Sequence, residues 1–328
     1  MSENPAQPTV EVACIAYNQV KYIRQCLESI VAQKTNFPFH LLIHDDCSTD
    51  GTTEIIREFE EKYPDIVKPL YEEENQYKKG NVMPSYLVLP HVTGKYVAFC
   101  EGDDFWDDPM KLQKQFDAME ANPDCHMCVH RVRTVWENGE DSGISIPNKF
   151  SGTQNIPGET VIRSVEDFQF HLLSFFCRGD DIRAYINDLP EFAKIADVSD
   201  ECYELYFGNL GNVYFIDETM ASHRAGSIGS WNSRNKDEKR VKHHEKMIAA
   251  MEAYDEYTQG KYHDICAHYI LHQRYHIATI RKDYKTQIKK EFREFYQNYG
   301  WKYKLRLCLN AVRSDMKRRS EDAGGKEN

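Results

Sequence analysis

Three segments in the N-terminal half share one order: a short apolar strand, a polar turn and an amphipathic helix. The strands are predicted over residues 10–17, over the run that ends at Asp45, and over residues 96–100. The helix that follows each strand repeats its apolar residues at helical spacing, and Pro64 ends the second helix. This alternation predicts an α/β fold, with a mostly parallel sheet flanked by helices and ligands bound at the carboxyl ends of the strands.

The third strand runs directly into a concentration of negative charge. The stretch "YVAFCEGDDFWDDPMKLQKQ" contains five carboxylates within eight residues: Glu101, Asp103, Asp104, Asp107 and Asp108. Carboxylates this close repel one another strongly where the dielectric is low, so the turn needs a compensating charge. A divalent cation with oxygen ligands, Mg or Mn, supplies that charge.

Composition limits the possible partners and the environment. The 328 residues are 41% apolar and carry a formal net charge of -11, which makes nucleic acid a poor partner. The apolar runs are too short to span a membrane, and the ten scattered cysteines indicate reduced thiols in a cytoplasmic protein. Cys125 and Cys128 form a C-x-x-C pair without a second pair at zinc-finger spacing, which favours buried thiols over a zinc site.

Three stretches carry a family resemblance. "CIAYNQVKYIRQCLESI", "HDDCSTDGTTEII" and "GKYVAFCEGDDFWDDPMKLQKQ", in this order and spacing, resemble the nucleotide-binding half of the family 2 glycosyltransferases. A weaker similarity in "SDECYELYFGNLGNVYFIDETMASHRAGSIGSW" covers the acceptor side. The resemblance implies a GT-A fold, a nucleoside-diphosphate sugar as donor, Mn or Mg as cofactor, and inversion at the anomeric carbon.

The resemblance also assigns donor and metal residues. Tyr17 would pack on the donor base, and Asp46 would accept a hydrogen bond from an imide N–H, which favours a UDP-sugar and allows a dTDP-sugar. Asp103 would bind the metal as the last residue of the family's D-x-D motif. The complete donor set is Ala16, Tyr17, Asn18, Asp46, Glu101, Gly102 and Asp103, and the metal set is Asp103, Glu101, Asp104 and His223. Asp107 and Asp108 would orient the turn, with Asp108 as N-cap and Pro109 as first residue of the third helix.

Glycosyl transfer also requires a base, because the acceptor hydroxyl loses its proton as it attacks. The resemblance places this base at Asp200, with Glu201 and Asp197 as alternatives. His223 and Arg224 resemble a Tyr-Arg-x-His element of the family, but Gly226 stands where the histidine is expected, so His223 is a candidate to replace it.

Other functional classes remain open at this point. A metal-dependent phosphatase needs a nucleophilic Asp after the first strand, where this chain has "IAYNQ". A sugar-nucleotide pyrophosphorylase needs a glycine-rich phosphate loop at the same place. A non-catalytic nucleotide-sugar-binding module is the rival from a different class, and Asp200 argues against it.

We expect a GT-A domain over 1–235 (nucleotide half 8–125, acceptor half 126–235), a helical region over 236–320 and a disordered tail over 321–328. The acceptor would be a glycan or a lipid-linked glycan in surface polysaccharide synthesis; the oligomeric state is open. The basic segment 301–319 carries an apolar stripe formed by Trp301, Leu305, Cys308, Val312 and Met316. This stripe either packs on the catalytic domain or makes peripheral contact with the inner face of the cell membrane.

Overall fold

The computed structural model describes residues 8–80, 83–167, 169–226 and 237–324, without the side chains of Pro84 and residues 314–324. The chain forms two compact units. The first unit is Met1–Pro190 with Val198–Ser233, and the second is Glu191–Asp197 with Arg234–Asn328.

The strands are β1 Val10–Ala16, β2 Phe39–Asp45, β3 Val67–Tyr71, β4 Tyr96–Glu101, β5 Phe105–Trp106, β6 Cys125–Trp136, β7 Asp141–Ile146, β8 Gln154–Ile156, β9 Phe176–Arg178 and β10 Asn212–Ala225. The α-helices are α1 Ile23–Val31, α2 Thr52–Lys62, α3 Gln76–Lys79, α4 Pro84–Val88, α5 Lys111–Ala121, α6 Gly158–Ser164, α7 Gly179–Asn187, α8 Glu191–Ile195, α9 Asp200–Leu210, α10 Asp237–Tyr257, α11 His263–Ile280, α12 Tyr284–Gln287, α13 Arg293–Tyr296 and α14 Trp301–Gly324.

The ten strands in the described part of the chain belong to one sheet with the order β3-β2-β1-β4-β9-β6-β10-β5, with β7 beside β6 and β8 beside β10. The predicted parallel arrangement holds for β3, β2, β1 and β4. Beyond β4 the sheet is mixed, because β9 runs antiparallel to both of its neighbours, whereas β6 and β10 are parallel to each other. The α/β class predicted from the alternation is therefore correct, with a mixed second half.

The ends of the first three predicted strands meet at one edge of this sheet. In the registered pairs, Ala16 at the end of β1 lies opposite Asp45 at the end of β2. Ile15 lies opposite Glu101 at the end of β4. The segments that follow β1, β2 and β4 therefore leave the sheet side by side, as parallel strands require.

The helix after β4 begins slightly later than the sequence predicts. We expect Pro109 as its first residue, whereas α5 starts at Lys111. The Asp108 carboxylate still accepts the N–H of Met110 at 2.8 Å, so it satisfies a donor at the start of the helix. The N-cap is Met110, with no side-chain cap hydrogen bond, so the prediction of Asp108 as N-cap is wrong and the boundary differs by two residues.

The second unit is helical in its described part. Met247, Met251 and Tyr254 of α10 are buried, and the Tyr254 ring lies 5.1 Å from the ring of Phe192 in α8. Among the described helices, none combines the length and the apolar character that crossing a membrane requires. The last helix, α14, continues to Gly324, into the predicted tail, and residues 325–328 lie outside the described residues.

Candidate active site

The turn after β4 is fixed closely against β1. The N–H of Gly102 donates to the carbonyl of Ile15 at 2.9 Å, and the N–H of Asp104 donates to the carbonyl of Glu101 at 2.9 Å. A Cβ atom at position 102 would lie 2.2 Å from Oε1 of Gln19 and 3.2 Å from the Ile15 carbonyl oxygen. A larger residue would therefore require the Gln19 side chain to move and the Ile15 carbonyl to shift slightly, and the acidic turn is held at the sheet edge.

Asp104 is the buried acid of this turn, with 1% of its surface exposed. Its Oδ1 accepts the backbone N–H of Arg224 at 2.8 Å, and Nδ1 of His223 lies 3.2 Å from Oδ1 and 3.3 Å from Oδ2. Burial alone raises the pKa of Asp104, but the charge of His223 and its hydrogen bond leave that pKa below its usual range. Because a carboxylate only accepts, Nδ1 of His223 is the donor and Nε2 faces away from Asp104.

The Arg224 side chain fixes the same turn from the β10 side. Its Nε donates to the carbonyl of Asp103 at 3.0 Å, and another guanidinium nitrogen donates to Gln25 at 2.7 Å. The guanidinium also lies over the rings of Tyr22 and Phe105, at 5.1 and 5.3 Å. Arg224 is 5% exposed, and these contacts fix the position of the acidic turn.

His171 joins this site, and our sequence analysis did not predict it. Its ring centroid lies 4.3 Å from that of His223, and 6% of its surface is exposed. Asp104, His171 and His223 each offer one potential metal-ligating atom, and these atoms lie within 4.8 Å of one another. Burial, followed by the neighbouring His223, lowers the pKa of His171 to about 3, so its ring is neutral near pH 7.

The tautomer of His171 follows from its backbone contact. Nδ1 of His171 accepts the N–H of Leu173 at 3.2 Å, which begins the short 3-10 turn Leu172–Ser174. A neutral imidazole that accepts at Nδ1 carries its proton on Nε2. In this tautomer Nε2 of His171 is a hydrogen-bond donor.

Further carboxylates face the same space. The pKa of Glu101 lies well above its usual value, first because of burial and then because of the negative charges of Asp103, Asp104 and Asp200. Burial alone lowers the pKa of His223, but Asp104, Asp103 and Asp200 raise it above its usual value on balance. The site therefore concentrates negative charge from β4, the following turn and α9.

Asp200 lies in the first turn of α9 and accepts the N–H of Leu172 through Oδ2 at 3.3 Å. Burial raises its pKa above the usual carboxyl value. Glu204, one turn later, is 1% exposed, has a pKa raised well above normal by burial, and is hydrogen-bonded to the backbone of Phe170. These two acids thus hold the backbone on both sides of His171.

The two alternative bases have different surroundings. Asp197 belongs to the second unit, where its Oδ1 lies 2.6 Å from Nδ1 of His243. Glu201 is half-buried next to Asp200 on α9 and adds to the negative charge that raises the pKa of Glu204.

The predicted donor residues Ala16, Tyr17 and Asn18 lie at the end of β1. Ala16 is buried, and its carbonyl accepts the N–H of Asp46 at 3.0 Å. Asn18 adopts a left-handed conformation with φ of 52°, and its Oδ1 accepts the N–H of Thr49 at 2.8 Å. The Tyr17 ring is half-buried, with Nζ of Lys78 at 5.7 Å from its centroid.

The carboxylate of Asp46 accepts two backbone hydrogen bonds. Its Oδ1 accepts the N–H of Gln76 at 2.6 Å, and its Oδ2 accepts the N–H of Tyr77 at 3.2 Å. The carboxylate thereby holds the start of α3 while only 4% of Asp46 is exposed. Its contact with the donor base stays a prediction.

The last two acids of the motif pair with cations. Asp107 accepts from Arg133 at 2.7 Å and from the hydroxyl of Ser222 at 2.7 Å. Asp108 pairs with Lys114 at 2.7 Å. Their charges are neutralised by side chains of the first unit.

Residues 11–181, more than half of the chain, match the sequence profile described as glycosyl transferase family 2. The chain belongs to this family of glycosyltransferases. It is 35% identical over 113 residues to TuaG of Bacillus subtilis, named as a teichuronic acid biosynthesis glycosyltransferase, covering 34% of this chain and 42% of TuaG. An uncharacterized protein of Mycobacterium tuberculosis is 29% identical over 231 residues, which are 70% of this chain but only 63% of that protein.

The solved structures support the same fold. The crystal structure of S. aureus TarS 1–349 in complex with UDP superposes with a TM-score of 0.57 at 15% identity, covering 90% of this chain and 77% of TarS. The family 2 chain described here thus has the GT-A fold that the resemblance implies.

Proposed function

We propose that this family 2 member is a metal-dependent, inverting glycosyltransferase. It would move a sugar from a nucleoside-diphosphate donor, first of all a UDP-sugar, to a hydroxyl of a glycan or lipid-linked acceptor. The UDP bound to TarS supports the choice of donor, and the name of TuaG supports a role in surface polysaccharide synthesis.

The observation that carries the proposal is that Asp103, Asp104 and Asp200 lie close enough to act electrostatically on both Glu101 and His223. Burial, and then repulsion from these aspartates, raise the pKa of Glu101 well above normal, which indicates a site that favours a bound cation. The donor set of carboxylate oxygens and one imidazole nitrogen suits Mn²⁺ or Mg²⁺. The residues present therefore fit the metal that the family implies.

Asp103 and Glu101 would supply carboxylate ligands, and His223 would bind through Nε2. Asp104, behind His223, fixes the orientation of that imidazole through Nδ1, in the way that carboxylates commonly support metal-binding histidines. The bound cation would act as a Lewis acid that stabilises negative charge on the departing diphosphate. Nε2–H of His171 would donate to a diphosphate oxygen, since this ring stays neutral and is held by the backbone of Leu173.

Asp200 would act as the base on the acceptor side. Burial raises its pKa, which makes its carboxylate a stronger proton acceptor than an exposed aspartate. The acceptor hydroxyl oxygen bonds to the anomeric carbon, its proton passes to Asp200, and the bond from that carbon to the diphosphate oxygen breaks. Attack opposite the leaving group inverts the anomeric centre.

The test is nucleoside diphosphate release from a panel of UDP-, dTDP- and GDP-sugars, with glycan acceptors and with Mn²⁺, Mg²⁺ or chelator. We expect release with a UDP-sugar and its loss in chelator. Asp103→Ala should abolish release, whereas Asp107→Asn, which keeps the bond from Ser222, should retain most of it. Undiminished release in chelator would refute metal dependence, and donor binding without release under every condition would favour the non-catalytic binding module.

Mn²⁺ binding to the nucleotide-free protein, measured by electron paramagnetic resonance, distinguishes the roles of the two histidines. His223→Ala should weaken Mn²⁺ binding by about tenfold or more, the effect typical of disturbing a ligand set. His171→Ala should leave Mn²⁺ binding within about twofold and weaken donor binding instead, because a donor to the diphosphate is lost. The reverse pattern would make His171 the ligand.

A further inference from the structure

Among the described side chains of helix α14, those of one face are the more buried. Leu307 and Ala311 are 4% and 5% exposed, and Tyr303 is half-buried beside the ring of Tyr299 at 4.6 Å. Within the second unit α14 contacts α12. At about 100° per residue, Tyr303, Leu307 and Ala311 occupy one side of the helix.

The apolar stripe predicted from the sequence lies on another side and is exposed. Its members among the described side chains, with Leu309 added, are Trp301 (70% exposed), Leu305 (51%), Cys308 (exposed), Leu309 (47%) and Val312 (51%). Packing of this stripe on the catalytic domain stays a prediction. The side chain of Met316, the last predicted member, lies outside the described residues. We call the five residues from Trp301 to Val312 the apolar face of α14.

Cations border this face on both edges. The helical spacing places Lys302, Arg306 and Arg313 along one edge and Lys304 along the other. Residues 301–313 contain no acidic side chain, although the whole chain has a net charge of -11. The apolar face is thus local, exposed and bordered by positive charge.

We propose that the apolar face of α14 docks on an anionic lipid bilayer, with its side chains at the level of the acyl boundary and its cations at the headgroups. An interfacial helix needs this combination of an apolar stripe and basic edges, and anionic lipid complements both. A second copy of the chain fits less well, because two such helices would bring their cationic edges together. The proposal is independent of the glycosyl transfer proposed above, although a lipid-linked acceptor would suit it.

The test uses the full chain and vesicle flotation, with phosphatidylcholine alone or mixed with phosphatidylglycerol. We expect binding to the anionic vesicles only, a blue shift of tryptophan emission that is reduced in Trp301→Phe, and release at high salt, which screens the cations. The double variant Leu305→Glu/Leu309→Glu should weaken partitioning by about tenfold or more. Both positions are exposed, so circular dichroism and the melting temperature should stay unchanged.

Ile144→Glu is the matched control, because Ile144 is 53% exposed on β7 of the first unit. It should partition like the wild type. Equal partitioning of the wild type and the double variant, or no binding to anionic vesicles, would overturn the proposal. A lipid-free dimer in sedimentation that the double variant dissociates would assign the face to a second copy instead.

Discussion

Lys111, in the first turn of α5, is fully buried, with 0% of its surface exposed. Its Nζ has the Oε1 of Gln115 at 2.8 Å and the ring of Trp106 at 4.1 Å. One amide oxygen and one aromatic face replace little of the hydration that an ammonium group loses on burial. Burial accordingly lowers the pKa of Lys111 from 10.5 to about 7.

This depressed pKa makes stability depend on pH. Between pH 7 and 10.5 the unfolded chain binds more protons at this lysine than the folded chain does, so the free energy of unfolding rises with pH. With one pKa unit worth about 1.4 kcal/mol, the lysine costs roughly 4 kcal/mol at pH 7 and roughly 2 kcal/mol at pH 9. The penalty is greatest below pH 7 and disappears above the unfolded pKa.

The perturbation is Lys111→Met, which keeps an unbranched chain of similar length and removes the titration. The free energy of unfolding of the variant minus that of the wild type should fall by about 2 kcal/mol from pH 7 to pH 9, measured by urea denaturation. The loss of the Gln115 contact adds an offset that does not change with pH, so the slope is the quantity to compare.

Lys114→Met is the matched control on the same helix. Lys114 is half-buried and bound to Asp108 and Glu218, which raise its pKa, so it stays protonated in both states over this range. The difference in free energy of unfolding between Lys114→Met and the wild type should therefore not change from pH 7 to pH 9. A flat difference for Lys111→Met as well would show that the buried amine is charged, and the argument from desolvation would be refuted.

Two further predictions concern the first unit. Asp200→Asn keeps an oxygen that can accept the N–H of Leu172. This variant should lower kcat by roughly 10²- to 10⁴-fold, while calorimetry should show unchanged donor affinity. Full activity would direct the search for the base to Glu201. Gly158→Ala should cost about 3 kcal/mol or more in urea denaturation, because its Cβ would lie 1.9 Å from the carbonyl oxygen of Gly208. Gly300→Ala, where a Cβ meets nothing within 4 Å, should be near neutral, and an equal effect of both changes would contradict the packing argument.

Local patterns in the sequence were enough for the first part of the fold. Apolar residues that recur every two positions indicate the buried side of a strand, and those that recur about every 3.6 positions indicate the buried side of a helix. The strands β1, β2 and β4 and the helices after them could therefore be predicted from apolar spacing. Because parallel strands direct their carboxyl ends to one edge, the meeting of Ala16, Asp45 and Glu101 also follows. The position of the acidic turn at this edge could be predicted for the same reason.

The tertiary structure alone decided what surrounds that turn. His171 comes from an irregular stretch with no period or motif, and only long-range packing brings it to residues 104 and 223. Burial of Lys111 and exposure of the apolar face of α14 were likewise unpredictable, because helical spacing defines a stripe but not what covers it. Spacing along the chain fixes local geometry, whereas the environment of a side chain depends on residues far away in sequence.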